Sequence, residues 1–258
     1  MNIVAIFSTK GGVGRTTVTA NLAVALGRAG RSVLAVDLDP QNALRLHFGL
    51  DPHGIGGCAR ATVAQGDWRE ACVTTAGGVV VLPYGAVNED DRLDFEHYFD
   101  THPDGLAGRL QDLGLSPDTV VLLDTPPGPS AYLRQALGIA HLALVVTLPD
   151  VAAYATLPAT EALVQRACGA RSDFRGHHYL INQTDSSRLL AADVVQVMRQ
   201  RFGERILGTV HSDQAVCEAL AHGQSVLDYA ADSCAADDFA QVARAMVQLM
   251  TGSGRSAP

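Results

Sequence analysis

Ser8-Thr9-Lys10-Gly11-Gly12-Val13-Gly14-Arg15-Thr16-Thr17 decides the fold of this chain. A short apolar run, Ile3 to Phe7, precedes it and has the length of a buried strand. Val18 to Ala29, rich in alanine, leucine and valine, follows it and reads as a helix. Strand, glycine loop and helix N-terminus together make an anion site. Glycines let successive backbone N–H groups turn inward on one phosphate, and the free donors and positive dipole end of the helix face the same point. The common phosphate-loop pattern, G-x-x-x-x-G-K-[ST], is altered at two positions: Thr9 stands at its first glycine and Arg15 at its lysine. Arginine is longer, planar and forked, so the exchange is not conservative. Binding is expected to withstand it, because the backbone N–H groups and Thr16 remain. Hydrolysis is more exposed, because phosphoryl transfer rests on positioning and charge stabilisation.

Outward from the loop, Ser32 to Val36 is a second apolar run and ends in Asp37-Leu38-Asp39-Pro40-Gln41. Val79 to Leu82 is a third, and Val120 to Leu123 a fourth that ends in Asp124-Thr125-Pro126-Pro127-Gly128. Acids at the carboxyl ends of strands beside a phosphate loop lie in the crevice where open parallel sheets bind ligands, and there they orient water or magnesium. The plainer readings are a turn-starting Asp39 before Pro40 and a proline-rich turn after Asp124. Leu142–Thr147, His178–Ile181 and Ile206–Val210 are further strands. Ala59–Gln65, Asp67–Val73, Ala159–Ala167, Ser187–Phe202 and Asp237–Met250 read as helices. This alternation predicts a doubly wound α/β domain over residues 1–250, with a mostly parallel sheet and helices on both faces, and a small polar, flexible tail over 251–258. Trp68 and Phe48 are expected as core anchors.

Charge and cysteine usage exclude several functions. The 258 residues carry 27 acidic and 19 basic side chains, a net charge of −8, which argues against general affinity for nucleic acid or anionic lipid. The basic cluster Arg188, Arg199, Arg201 and Arg205 is interspersed with Asp185, Asp193 and Glu204 and reads as a solvated mixed face. Five scattered cysteines without a C-x-x-C pair read as reduced fillers, and the histidines show no metal-ligand spacing. Glu89-Asp90-Asp91 reads as a solvated helix start or loop rather than a magnesium site. The N-terminal apolar run lacks a basic leader and enters the phosphate loop directly, so a cytoplasmic protein is expected.

The loop matches K-G-G-x-G-K-[ST]-T at every position except Arg15 and so resembles the deviant phosphate loop of the ParA/MinD family of ATPases. D-x-D-P-Q at 37–41 and D-T-P-P-G at 124–128 resemble that family's two switch segments. The resemblance implies ATP and Mg²⁺ as cofactors. Gly11, Gly12, Val13, Gly14 and Arg15 would hold phosphates, Thr16 the metal and Thr17 the inner phosphate. Asp39 and Asp124 would organise metal and water, with Asp39 tied to hydrolysis. Lys10 would reach a partner's nucleotide across an ATP-dependent homodimer. Asn182, at a strand end, would read the adenine edge, although a turn-capping asparagine is the other reading. Asp213 lies in a segment resembling the family's I-P-x-D at the base, with His211 replacing the proline. A MinD-type basic amphipathic anchor is not expected in 251–258. Leu44–Gly49, Gly66–Ala71, Leu82–Gly85 and His211–Tyr229 are similar to the cellulose-biosynthesis branch, the BcsQ (YhjQ) proteins. That branch implies an accessory ATPase that helps assemble or localise a cellulose secretion machine through contacts with its subunits, recruited to the inner membrane face or cell pole. The rivals are a DNA-partition ATPase, a membrane-positioning ATPase, and a nucleotide-bound scaffold that does not hydrolyse.

Overall fold

The structure, a computed structural model, describes residues 1–252; the end of the expected tail, 253–258, lies outside the described residues. Eight strands form one sheet in the order β3-β4-β2-β5-β1-β6-β7-β8. In chain order they are β1 (Asn2–Phe7), β2 (Val33–Asp37), β3 (Val73–Thr74), β4 (Val80–Leu82), β5 (Val120–Asp124), β6 (Leu142–Thr147), β7 (His177–Thr184) and β8 (Ile206–His211). Every pairing is parallel except that of β3 with β4. The expected doubly wound, mostly parallel sheet is therefore what the chain forms.

Its central strands are apolar almost without interruption because both faces are covered. Along β1, Ile3, Ala5 and Phe7 enter one core layer while Val4 and Ile6 enter the other, as the two-residue alternation of a strand requires. The first layer is closed by α2 (Cys58–Val63), α3 (Trp68–Ala71), α4 (Glu89–Thr101), α5 (Gly105–Asp112), α6 (Ala131–Ile139), α7 (Val151–Cys168) and α8 (Leu189–Phe202). The second is closed by α1 (Arg15–Arg28), α9 (Gln214–Ala221), α10 (Val226–Tyr229) and α11 (Cys234–Thr251). Trp68 is buried among the first group, its indole N–H donated to Thr62 Oγ1 at 2.9 Å. Phe48 packs, half-buried, on the second layer.

One helix departs from its expected bounds, and the structure gives the local cause of several other features. The helix expected over Ala159–Ala167 begins at Val151, because Asp150 caps it by accepting from Ala153 N at 2.7 Å, and it carries Pro158 in its interior. The apolar stretch Ala136–Leu148 divides between α6 and β6 at His141, whose Nδ1 accepts from Ile3 N at 2.9 Å. Glu89-Asp90-Asp91 is the first turn of α4, capped by Asn88, which accepts from Asp91 N at 2.7 Å. All five cysteines are free, but only Cys58 and Cys168 are buried fillers; Cys217 and Cys234 are exposed. No helix among the described residues is long and apolar enough to cross a membrane.

Candidate nucleotide site

Two left-handed glycines shape the loop between β1 and α1. Gly12 has φ 73° and Gly14 has φ 83°, a region L side chains rarely enter. Gly14 also opens α1, which starts without any side-chain cap, so the first-turn N–H groups face the loop. Val13 is buried and Gly11 lies beside Pro127. Ser8 O accepts from Gly128 N at 3.0 Å, which ties the start of the loop to the turn after β5. The cradle is thus fixed on both sides.

The acids stand at the ends of neighbouring strands. Asp37 spends both carboxylate oxygens on backbone, accepting from Asp39 N at 3.0 Å and Leu44 N at 3.1 Å, and so holds the turn after β2. Burial pushes its carboxyl well above the ordinary range, helped by the charge of Asp124 and resisted by those two N–H groups. Asp39 accepts from Gln41 N at 3.0 Å and from Arg15 Nη2 at 3.3 Å, both partners of that ion pair being buried. Arg15 Nη1 is also buried and has no partner. Asp124 is fully buried with neither oxygen hydrogen-bonded. Burial pushes it up to about 6, with the nearby Thr16 hydroxyl and Arg15 guanidinium pulling it back down.

This donor set fits a magnesium-bound nucleotide. An orphaned buried carboxylate beside a threonine hydroxyl is the half-site Mg²⁺ takes, since that ion prefers one or two carboxylates completed by phosphate oxygens and water. No group of three or more His, Cys, Asp or Glu side chains among the described residues forms a protein-only cage. A metal here would therefore depend on the phosphates.

The remaining candidates are distributed unevenly. Lys10 Nζ lies 3.0 Å from Asp150 Oδ2 in its own chain. Thr17 Oγ1 lies 3.5 Å from His47 Nε2, and burial lowers His47 to about 4, so that ring is neutral. Asn182 donates from Nδ2 to Val13 O at 2.8 Å, packing on the loop itself. Asp213 caps α9, accepting from Ala215 N at 2.9 Å, and also accepts from Ala235 N at 3.3 Å. His211 turns to Asp238, 2.7 Å from Nδ1. The loop, Asp39, Asp124 and Asn182 thus share one crevice, while Asp213 and His211 are engaged with the N-terminal turns of α9 and α11.

Three contributors were not singled out from sequence. Asp37 supports the turn after β2, Asp150 holds Lys10, and Gln183, at φ 55°, marks an irregularity in the pairing of β7 with β8 next to Asn182. Asp150 was findable by the rule that exposed Asp39 and Asp124, since it too follows a strand at the carboxyl edge. The turn at Gln183 leaves no sequence signature.

Comparison with known proteins agrees with this geometry. The family model for cellulose biosynthesis protein BcsQ matches residues 1–246. A BcsQ of Salmonella typhimurium is 31% identical over 239 residues, covering 92% of this chain and 91% of its own length. The chromosome-partitioning ATPase Soj of Thermus thermophilus is 31% identical, with 93% of each chain covered. Among solved structures, the septum site-determining protein MinD of Pyrococcus horikoshii, complexed with Mg-ADP, superposes with a TM-score of 0.77 at 26% identity and 97% coverage of both chains. A phosphate loop with Lys10 before its glycines, two acidic strand ends and full-length similarity place the chain in the BcsQ family of cellulose biosynthesis proteins, within the wider group of ParA/MinD-like ATPases.

Proposed function

We propose that this protein is an ATP-dependent dimerising switch that serves the assembly or placement of a cellulose synthesis and secretion machine. The observation that carries the nucleotide half of this reading is the uncapped N-terminus of α1, whose first-turn residues Arg15 and Thr16 lie near the unpartnered, fully buried Asp124. The loop N–H groups bind the phosphates, Thr16 and Asp124 hold the metal, and bound Mg²⁺ supplies charge neutralisation on the phosphate oxygens. Asp39 orients the attacking water once Arg15 releases it. Lys10, on the open side of the loop, exchanges Asp150 for a partner's nucleotide and makes dimerisation depend on ATP. The similarity to BcsQ proteins supports the cellulose role, with subunits of that machine as the readers of the dimer.

A second reading, a nucleotide-bound scaffold with little turnover, is favoured by the Arg15–Asp39 pair: the acid tied to hydrolysis is neutralised by the residue that replaces the lysine. Sedimentation with ATP, ADP and no nucleotide, run beside phosphate release, separates the readings. The switch predicts dimers with Mg-ATP only. Arg15→Lys is expected to raise turnover, because a lysine reaches the phosphates as a point charge and leaves Asp39 free. A monomer under all three conditions removes the switch. A nucleotide-dependent dimer without turnover, which gains turnover in Arg15→Lys, assigns the scaffold.

A further inference from the structure

The sheet has two edges of different character. β3 is a two-residue strand and offers almost nothing to pair with. β8 is six residues long, and four of them, Ile206 to Thr209, stay half-exposed while Tyr179 to Asn182 on β7 are buried. On β8, Val210 O accepts from Thr184 Oγ1 and Ser212 N donates to Thr184 O, so Val210 and Ser212 face β7. His211 N faces the other way and donates to Asp238 Oδ2 at 2.9 Å. By the alternation of a strand, Thr209 turns its N–H and C=O outward in the same direction as His211. Leu207 is the extra residue where Ile206 and Gly208 oppose consecutive residues of β7, so it too lacks a partner in the ladder.

Two cavities flank this edge, one on each face of the sheet. The first, about 400 Å³, lies under α8 and is lined by Ala192, Val195, Gln196 and Thr209. The second, about 600 Å³, lies under α11 and is lined by Gly208, Gln241, Val242 and Ala245. Gly208 forms part of the wall of the second, where its missing side chain lets Val242 of α11 close onto the strand: a Cβ there would stand 2.6 Å from Val242 Cγ2. Arg199, exposed at the end of α8, borders both cavities, and its guanidinium has no ion-pair or hydrogen-bond partner among the described residues.

The geometry points to β8 as an edge that accepts an extended peptide strand from another protein, with successive side chains entering the α8 and α11 cavities and an acidic residue meeting Arg199. Outward backbone groups select a strand over a helix, because only an extended chain satisfies them in register. Cavities on opposite faces match the two-residue alternation of such a strand. The unpartnered guanidinium selects a carboxylate at its middle. This site lies beyond the nucleotide crevice and does not depend on the switch.

The test uses the full chain and a short, capped, fluorescein-labelled peptide of alternating valine and threonine with one central glutamate. Fluorescence anisotropy gives affinity, and hydrogen exchange reads the Thr209 amide. The glutamate peptide is expected to bind and to slow exchange at Thr209, and the same peptide with lysine in place of glutamate to bind at least about tenfold more weakly. Arg199→Glu, an exposed change, should reverse that preference. Thr209→Pro removes an outward N–H without touching the β7 ladder, and should abolish binding while Mg-ATP binding persists. Absence of binding by the glutamate peptide, or binding indifferent to both variants, overturns the assignment. A concentration-dependent dimer without nucleotide that Thr209→Pro dissolves also overturns it, giving the edge to a second copy of this chain.

Discussion

Gly14 carries two constraints at once. Its φ of 83° suits no L side chain, and a Cβ would stand 2.5 Å from Asn182 Nδ2, which is itself fixed on Val13 O. Gly14→Ala is expected to cost about 1–2 kcal/mol of stability and to abolish nucleotide binding, read by a melting curve with and without Mg-ATP. Retained binding would show that the loop relaxes around the methyl group. Asp124 makes a prediction of opposite sign. Its folded-state value near 6 lies above the ordinary 3.8, so the folded state holds its proton more tightly than the unfolded chain. Stability in the absence of nucleotide therefore falls as pH rises between those values, by up to about 3 kcal/mol. Asp124→Asn should stabilise the nucleotide-free protein above about pH 6, lose that advantage near pH 4, and bind Mg-ATP poorly. Melting temperatures of both proteins across that range decide it; an advantage constant with pH would place its origin elsewhere.

At the scale of elements, α7 shows how one residue serves two neighbours. Asp150 caps the helix through Ala153 N and holds Lys10, with both ion-pair side chains more than a third exposed. The exposed pair contributes little to stability, whereas a lost cap costs about 1 kcal/mol. Asp150→Ala is expected to lower the unfolding free energy measured in urea by that amount, and Asp150→Asn, which still caps, to stay near the parent. Equal losses in the two variants would credit the ion pair. Most elements were legible in the sequence because apolar runs of strand length alternate with longer periodic ones. α7 was not fully so. Pro158 is a residue that usually marks a helix start, and only the cap at Asp150 and the packing of Leu157 and Val164 against the sheet extend the helix through it. β3 was missed because two residues carry no periodicity.

For the molecule as a whole, the sheet divides the protein into two cores, and α11 joins the smaller set of helices to both α1 and β8. Phe239, 1% exposed, is its largest buried anchor. Phe239→Ala is expected to destabilise the whole domain by about 3–5 kcal/mol, as a shift in the urea midpoint at unchanged slope. A fraction melting separately would reveal α11 as an independent unit.

The sequence by itself determined the phosphate loop, the acidic strand ends, the parallel α/β class and the similarity to BcsQ proteins. Each is a local pattern: glycine where φ must be positive, an acid where an apolar run stops, a period of two or of 3.6. The tertiary structure alone decided which charges meet. Arg15 finds Asp39, 24 residues away, Lys10 finds Asp150, 140 away, and Asn182 reaches the loop at Val13, 169 away. Pairing across such distances follows from strand order and the crossing of helices over the sheet, which no window of sequence contains. The edge at β8 belongs to the same class, since a strand becomes an edge only through the place the fold gives it.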